Sequence, residues 1–265
     1  YFCSSANIFV LKLNSSGTFQ WVNTYGRSAF DAGHDITVDS SGNSYITGYF
    51  EGKVDFGAGK VTSAGSADIF VLKLNSSGTF QRVNIFGGTS TDVGVGIAVD
   101  SSGNSYITGY FEGTVDFGGG NVTSAGSDDI FVLKLNSSGT FQWVSTFGGT
   151  SIDGGEDITV DSSGNSYITG RFRETVDFGG GNVASAGGGD IFVLKLNSSG
   201  TFQWVNTYGG TSTDVGEGIA VNSSGNIYIT GYFYETVDFG GGNVTSAGSA
   251  DIFVLKLNSS GAGIE

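Results

Sequence analysis

The stretch IFVLKLNSSG occupies residues 8–17 and returns without a change at 69–78, 130–139, 191–200 and 252–261. Successive copies begin 61 residues apart, at positions 8, 69, 130, 191 and 252, so neither an insertion nor a deletion separates them. A fixed period of this length is typical of a repeat architecture, in which each unit buries its apolar surface against its neighbours. The period therefore predicts one continuous array of equivalent units.

The composition favours a β-rich protein that does not bind polyanions. Glycine accounts for 47 of the 265 residues and proline is absent, while the apolar residues are mainly Phe, Tyr, Ile and Val, a mixture that suits short strands and tight turns. The net charge of −14 argues against a nucleic-acid partner and against an anionic membrane surface. The apolar run IFVL is far too short to cross a bilayer, so no membrane insertion is predicted.

The cellular location is predicted to be secreted or at the cell surface. The sequence contains no methionine, so we interpret the chain as a processed product or as a segment of a longer protein, with removal of a signal peptide as the favoured history. The single cysteine, Cys3, has no partner for an internal disulfide, and stability is expected to come from sheets and packing.

Each unit is predicted to form two β-hairpins, and therefore four short antiparallel strands. In the second period, GIAVD and SYITGYF flank SSGN, and DIFVLKLN and TFQWVSTF flank SSG. A short loop with glycine near its end fits a type I turn followed by a left-handed residue. The third strand, IFVLKL, is apolar on both faces and should be covered on both, whereas the outer strand alternates as a half-exposed edge would.

Four-stranded sheets that need cover on both faces predict an all-β fold, a β-propeller with about four to five blades in this chain. An open β-solenoid is the less favoured alternative. We expect an N-terminal segment (1–6), a repeat domain (7–261) and a C-terminal tail (262–265). Within the domain, the full blades are 35–95, 96–156 and 157–217, and the partial blades are 7–34 and 218–261.

The segments VDSSGNSYITGYF and VDFGGGNVTSAGSDDIFVLKLNSSGTFQWV, with the GGTS that follows, resemble the bacterial SBBP family of β-propeller repeats. The unit is also similar to NHL-type propeller blades. The resemblance covers residues 7–261 and implies a secreted or cell-surface β-propeller. It implies no particular activity, because the family is defined by its blades.

A catalytic role is not predicted, because the units differ at few positions and these look like surface drift. They include His34 with its equivalents Val95, Glu156 and Glu217, and Tyr49 with Tyr110, Arg171 and Tyr232. His34 is the only histidine and has no distinguished nucleophile near it in the sequence, so we interpret it as a satisfied surface residue. We predict no catalytic, cofactor-binding or metal-binding residue.

Recurrent aspartates have two interpretations. They lie in VDF, at the head of the third strand, and in TDVG-like loops, and they could hold Ca²⁺ if two loops converged with backbone carbonyls. The favoured interpretation is turn and strand-end capping. Eight N-x-Ser/Thr sequons are candidates for glycosylation: Asn14, Asn75, Asn121, Asn136, Asn197, Asn222, Asn243 and Asn258.

Strand counting gives the main functional hypothesis, a structural protein whose partner is a second copy of itself. The sequence supplies four inner, four second, five third and four outer strands. We expect 218–233 to join 7–25 in one blade, which leaves either 8–13 or 252–257 without a place. A surplus strand that pairs with another chain would produce head-to-tail association, extending to filaments. The candidate residues are Ile8, Phe9, Val10, Leu11, Leu13, Ile252, Phe253, Val254, Leu255 and Leu257. A longer propeller would remove the surplus.

The alternative hypothesis is a multivalent module that binds extracellular carbohydrates or surface proteins. Trp21, Trp143 and Trp204 occupy one position of the outer strand and are candidate ligand-facing aromatics. Repetition of such a pocket would increase avidity. Arg82 takes this position in the remaining period, which weakens the case for equivalent pockets.

Overall fold

The computed structural model describes residues 6–26 and 29–263, and these form β-strands and turns. Cys3 and Arg27 lie outside the described residues. Within them, no helix is long and apolar enough to cross a membrane. The strands form five consecutive antiparallel sheets, which we call sheets 1 to 5.

The four-stranded sheets have the strand order that the hairpin pattern predicts: inner, second, third and outer. Sheet 1 contains β1 (Ile8–Leu13) and β2 (Phe19–Tyr25). Sheet 2 contains β3 (Ala32–Val38), β4 (Ser44–Asp55), β5 (Lys60–Leu74) and β6 (Phe80–Phe86). Sheet 3 contains β7 (Val93–Val99), β8 (Ser105–Asp116), β9 (Asn121–Leu135) and β10 (Phe141–Phe147).

Sheets 4 and 5 complete the array. Sheet 4 contains β11 (Gly154–Val160), β12 (Ser166–Phe172), β15 (Asp190–Leu196) and β16 (Phe202–Tyr208), with a separate ribbon of β13 (Thr175–Asp177) and β14 (Asn182–Ala184). Sheet 5 contains β17 (Val215–Val221), β18 (Ile227–Asp238) and β19 (Asn243–Leu257). The link between the second and third strands is itself a hairpin. It forms where the two strands extend beyond the rest of the sheet.

The SSG turns have the predicted chemistry. In the turn between β5 and β6, the Gly78 N–H donates to Asn75 O at 2.9 Å, and Gly78 has a φ of +79°. The Asn75 side chain fixes the turn, because its Oδ1 accepts the backbone N–H groups of Ser77 and Thr79. A left-handed residue at this point requires glycine for steric reasons.

The core lies between consecutive sheets, and the third strand contributes both of its faces. Ile69 and Val71 of sheet 2 pack against sheet 3. Phe70 and Leu72, on the opposite face of the same strand, pack in the cluster that also contains Ile8 of sheet 1. The prediction that this strand is covered on both sides is confirmed for β5, β9 and β15.

The expected closure of one blade by the two terminal segments is not formed, and that prediction was wrong for this structure. Strands β1 and β2 form a two-stranded sheet, while β17, β18 and β19 form a three-stranded sheet. Strand β19 pairs with β18 in the register of a third strand, with Thr230 opposite Val254. Both copies of the surplus strand therefore have a place, in two different sheets.

Candidate functional site

Strand β1 is buried on one face only. Ile8 and Val10 pack against sheet 2 in a cluster with Ile46 and Phe50. On the opposite face, Phe9 is 70% exposed, and Leu11 and Leu13 are also exposed. In the internal sheets, the residues equivalent to Phe9 and Leu11 are completely buried against the preceding sheet. Sheet 1 therefore presents an apolar face that is built for packing on a sheet.

Strand β19 has the opposite face buried. Phe253 and Leu257 pack against sheet 4 in a cluster with Ile191 and Val193. Ile252 is 83% exposed and Val254 is 76% exposed. Sheet 5 thus presents the Ile/Val face that every internal sheet buries against the sheet after it. Because the sequences of β1 and the end of β19 are identical, the difference in burial comes only from the neighbours.

Apolar grooves lie beside both terminal faces. A groove of about 410 Å³ beside sheet 1 is lined by residues of β1 together with β3, among them Leu11, His34 and Ile36. A groove of about 360 Å³ beside sheet 5 is lined by Phe233, Ile252 and other residues of β18 and β19. The first groove is at the position of the inner and second strands, which sheet 1 does not have among its described residues.

A cavity of about 540 Å³ lies where the inner strands of sheets 2 to 5 meet, and we call it the central channel. One equivalent residue of each inner strand lines it: His34, Val95, Glu156 and Glu217. In each inner strand the pairing register shifts at this residue, so the four side chains sit on β-bulges. Bulges redirect side chains, and here they direct four equivalent residues of three types to one space. The interpretation of these differences as surface drift was therefore incomplete, because the four side chains face one cavity.

The next residue of each inner strand alternates between aspartate and glycine. Asp35 Oδ2 accepts the N–H of Ile97 in the next sheet at 2.8 Å, and Asp157 Oδ2 accepts the N–H of Ile219 at 2.7 Å. At Gly96 the backbones of the neighbouring inner strands β7 and β11 pack directly on each other. A Cβ on Gly96 would lie only 2.9 Å from Asp157 Cα. Burial raises the pKa of Asp157 to about 6, and the charge of Asp35 acts in the same direction. The alternation gives the array a longer period, which spans two sheets and therefore two of the 61-residue repeats.

The side chains around the channel shift the pKa values of His34 and Glu156. The ring of His34 packs edge-on against Tyr49, with centroids 5.5 Å apart, and Nδ1 lies 3.1 Å from Gly94 O. Packing around the imidazole lowers the pKa of His34, and the Gly94 hydrogen bond opposes that shift. Burial raises the pKa of Glu156, an effect that Arg171 reduces. His34 is thus hydrogen-bonded, as predicted, but it lies on the channel wall.

The tryptophan candidates of the outer strand contact the turn of the next sheet. Trp21 Nε1 lies 3.4 Å from Ser76 O, and Trp143 Nε1 donates to Ser198 O at 3.1 Å. Arg82 occupies the same place, with Nη1 donating to Ser137 O at 2.8 Å. Trp204 is half-buried in the equivalent position, beneath Gly261. These contacts hold neighbouring sheets together, and a ligand-facing use of the indoles stays a prediction.

The asparagines of the sequons belong to the turns and strand starts. In NSS, Asn136 Oδ1 accepts the N–H groups of Ser138 and Thr140, and Asn14, Asn75, Asn197, Asn222 and Asn258 make the same pair of bonds. Asn121 and Asn243 are exposed at the starts of β9 and β19. Glycosylation of these residues stays a prediction.

The aspartates bond to backbone N–H groups. Asp116 Oδ1 accepts from Gly118 and Gly120 in the turn between β8 and β9. Asp129, at the head of the third strand, accepts from Ala125, and burial raises its pKa to about 6 with a contribution from nearby Asp153. These bonds agree with the capping interpretation, Asp129 Oδ1 is buried without a hydrogen-bond partner, and a Ca²⁺ role stays a prediction. Within the described ranges, no group of three or more acidic, histidine or cysteine side chains could hold a metal.

Comparison with known families identifies the repeat. The SBBP model, described as a beta-propeller repeat, matches residues 24–49, 81–110 and 142–171. Each match runs from the outer strand of one sheet into the second strand of the next sheet. The matched segments therefore include three of the four bulges that line the central channel, at His34, Val95 and Glu156.

Two curated relatives are similar to the chain over part of their length. An uncharacterized WD repeat-containing protein of Acanthamoeba polyphaga mimivirus, L264, is 24% identical over 83% of this chain and 19% of its own length. The regulatory protein FlaEY of Caulobacter vibrioides is 26% identical over 66% of this chain and 19% of its own length. The chain spans about a fifth of either relative.

Proposed function

We propose that this chain of SBBP beta-propeller repeats is a non-enzymatic structural module that self-associates head to tail through its terminal sheets. The complementary burial of β1 and β19 carries the proposal. Sheet 1 exposes Phe9 on a Phe/Leu face, and sheet 5 exposes Ile252 on an Ile/Val face. These are the two surfaces that meet at each internal contact between consecutive sheets.

In this proposal the sheets are blades of an incomplete β-propeller, and the chain provides three full blades and two partial ones. The support is that the inner strands β3, β7, β11 and β17 follow one another around the central channel. The contact between two copies would repeat the internal arrangement, and growth by a heterologous contact continues unless the rotation closes a ring.

The hydrophobic effect favours this association. Complete burial of a large aliphatic or aromatic side chain contributes about 1.5–3 kcal/mol. Four strongly exposed side chains, Phe9, Leu11, Ile252 and Val254, would be covered at each contact, so the gain is comparable with the cost of bringing two molecules together. An exposed apolar face on each end would otherwise be an aggregation hazard.

We also propose an extracellular location, at the cell surface or in a secreted assembly. The support is the similarity to SBBP beta-propeller repeats, a resemblance that implies a secreted or cell-surface propeller, together with the acidic composition. A non-enzymatic role is supported by the hydrogen bonds of the recurrent aspartates and asparagines, which are used within turns and between strands.

The test is the oligomeric state of the purified chain. We expect light scattering to show a mass that increases with concentration, and negative-stain microscopy to show linear assemblies. Phe9→Lys should stop growth, because Phe9 is covered at every contact, and Ile252→Lys should stop growth through the Ile/Val face of sheet 5. An equimolar mixture of the two variants should give dimers, since one variant keeps an intact sheet 5 face and the other an intact sheet 1 face.

Ile152→Lys is the matched control, because Ile152 is exposed in the loop between β10 and β11, away from both terminal sheets. It should assemble as the unmodified chain does. Discrete monomers of the unmodified chain at all concentrations would contradict the proposal.

A multivalent carbohydrate- or protein-binding module is the second hypothesis. The indoles of Trp21 and Trp143 cover turns of the neighbouring sheets, which favours the structural role over this one. Retention on a glycan array that is lost in Trp143→Ala, with an unchanged oligomeric state, would favour the binding module.

A further inference from the structure

We propose that at the joint between two copies, strand β1 of the second copy replaces strand β19 of the first copy beside β18. The inference rests on the proposed self-association and specifies its mechanism. The resulting sheet would contain β17 and β18 of the first copy with β1 and β2 of the second. It would have four strands, in the order found in sheets 2, 3 and 4.

The replacement is possible because the two strands are the same peptide. Residues 8–13 and 252–257 both read IFVLKL. Val254 is opposite Thr230 in the present pairing, so Val10 of the second copy would be opposite Thr230 after the exchange. The hydrogen bonds and the face packed on sheet 4 would be retained, because every side chain of the new strand matches the one it replaces.

The groove beside sheet 1 favours exchange over simple stacking of complete sheets. In sheet 2, Ile36 is exposed, whereas its equivalents Ile97 and Ile158 in sheets 3 and 4 are buried. Val38 is also exposed, and its equivalents Val99 and Val160 are partly buried. Ile158 is covered in a cluster with Tyr106, a residue of the preceding second strand. Stacking sheet 5 on sheet 1 would leave the groove of about 410 Å³ empty, because sheet 1 has no inner and second strands there.

Exchange fills this groove with the inner and second strands of the other copy. Tyr228 of β18 is exposed, although its equivalents Tyr45, Tyr106 and Tyr167 are completely buried. After exchange Tyr228 would lie over Ile36 of the second copy, as Tyr106 lies in the cluster of Ile158. The exposed Phe/Leu face of β1, Ile36 and Tyr228 would then have the neighbours that their equivalents have inside the array. Residues 252–257 of the first copy would leave the sheet, so growth by exchange would persist in Ile252→Lys.

The alternation along the inner strands points to the same joint. The order is Asp35, Gly96, Asp157, Gly218, and exchange places Gly218 of one copy next to Asp35 of the other. Gly96 already meets the backbone of Asp157 in this way, whereas a Cβ at Gly218 would meet only Thr230 in the present structure. In stacking without exchange, no inner strand would follow Gly218.

The test is disulfide trapping in a Cys3→Ser background, which removes the single native thiol. Val10→Cys combined with Thr230→Cys should give disulfide-linked oligomers, because residues directly opposite each other in antiparallel strands have Cα separations within the disulfide range. Lys12→Cys with Tyr228→Cys tests the same register two residues further along, at a less buried site, in case the first pair perturbs folding.

The matched control is Thr230→Cys with Val254→Cys, which should lock β19 beside β18 in its own chain. We expect this variant to lose association when oxidised and to regain it when reduced. Crosslinks between chains in the first pair support the exchange. Crosslinks within single chains would overturn it, since the chain's own β1 would then fill the place.

Oligomers that form without either crosslink, or that form equally well when β19 is locked, would overturn the exchange while leaving self-association standing. Monomers under all conditions would instead overturn the proposed function, and the inference with it. The two failures are therefore distinguishable in one set of samples.

Discussion

Replacement of Arg82 by tryptophan should stabilise the protein. Arg82 occupies the position that holds Trp21, Trp143 and Trp204 in the other units, and its Nε and Nη2 are buried without a hydrogen-bond partner. An unsatisfied buried polar group costs about 1–3 kcal/mol. Burial also lowers the pKa of the Arg82 guanidinium, in agreement with an unfavourable site for the charge.

Arg82 makes two contacts that a tryptophan would have to replace. Its guanidinium lies 5.7 Å from the centre of the Tyr45 ring, a contact that contributes about 0.5–1 kcal/mol. A tryptophan would replace it by an aromatic pair, as Trp143 does with Tyr106 at 6.3 Å. The hydrogen bond to Ser137 O would be kept by the indole N–H. The expected net effect of Arg82→Trp is a stabilisation of about 1–2 kcal/mol.

The assay is chemical and thermal unfolding of Arg82→Trp beside the reverse change, Trp143→Arg. For a domain of this size, 1 kcal/mol corresponds to a shift of about 2–4 °C in the thermal midpoint. We expect the midpoint to rise in the first variant and to fall in the second. If Arg82→Trp is neutral or destabilising while Trp143→Arg is tolerated, the buried nitrogens of Arg82 are not a source of instability and the reasoning is wrong.

Three further changes test other parts of the structure. Burial raises the pKa of Asp92, Asp129 and Asp157 to about 6 from an ordinary 3.8, so their favourable contribution is full below about pH 4 and is lost as the pH rises through 6. The thermal midpoint should therefore be higher at pH 5 than at pH 8, and Asp129→Asn should reduce the difference. Glu174→Gly should raise the free energy of unfolding by about 0.5–1 kcal/mol, since Glu174 has a φ of +56° where two other units have glycine; chemical denaturation measures this. Gly109→Ala should destabilise sheet 3 by more than about 3 kcal/mol, because the new Cβ would lie 2.0 Å from Val93 O; loss of amide protection in β7 and β8 checks it.

The strands and turns of a full unit could be predicted from the sequence because their determinants are local. Each SSG turn needs a left-handed glycine, and the apolar pattern of IFVLKL indicates a strand that is covered twice. The projecting hairpin between β8 and β9 was missed, since its turn is glycine-rich and the alternation that buries Val115 and Phe117 is only a few residues long. Its turn is fixed by Asp116, a signal that was present in the sequence but was interpreted only as capping.

The central channel could not be predicted, because its residues are brought together by bulges and by the rotation between sheets. His34 and Glu156 are 122 positions apart in the sequence and line the same cavity. Nothing in the pattern GHDITV indicates that the residue after glycine leaves the ladder. A useful signal was available in the differences between units, since the inner-strand position that lines the cavity reads His, Val, Glu and Glu in the four units.

The identical strands β1 and β19 show why burial cannot be assigned from a sequence segment alone. One buries Ile8 and exposes Phe9, and the other buries Phe253 and exposes Ile252. In a repeat array each unit is stabilised mainly by its nearest neighbours, so the two terminal sheets have about half of the contacts of an internal sheet and the lowest local stability. A partner that binds only the folded sheet stabilises it by mass action. Association at these faces would therefore supply the second half of the packing that each terminal sheet needs, and folding of the ends and growth of the assembly would depend on the same contacts.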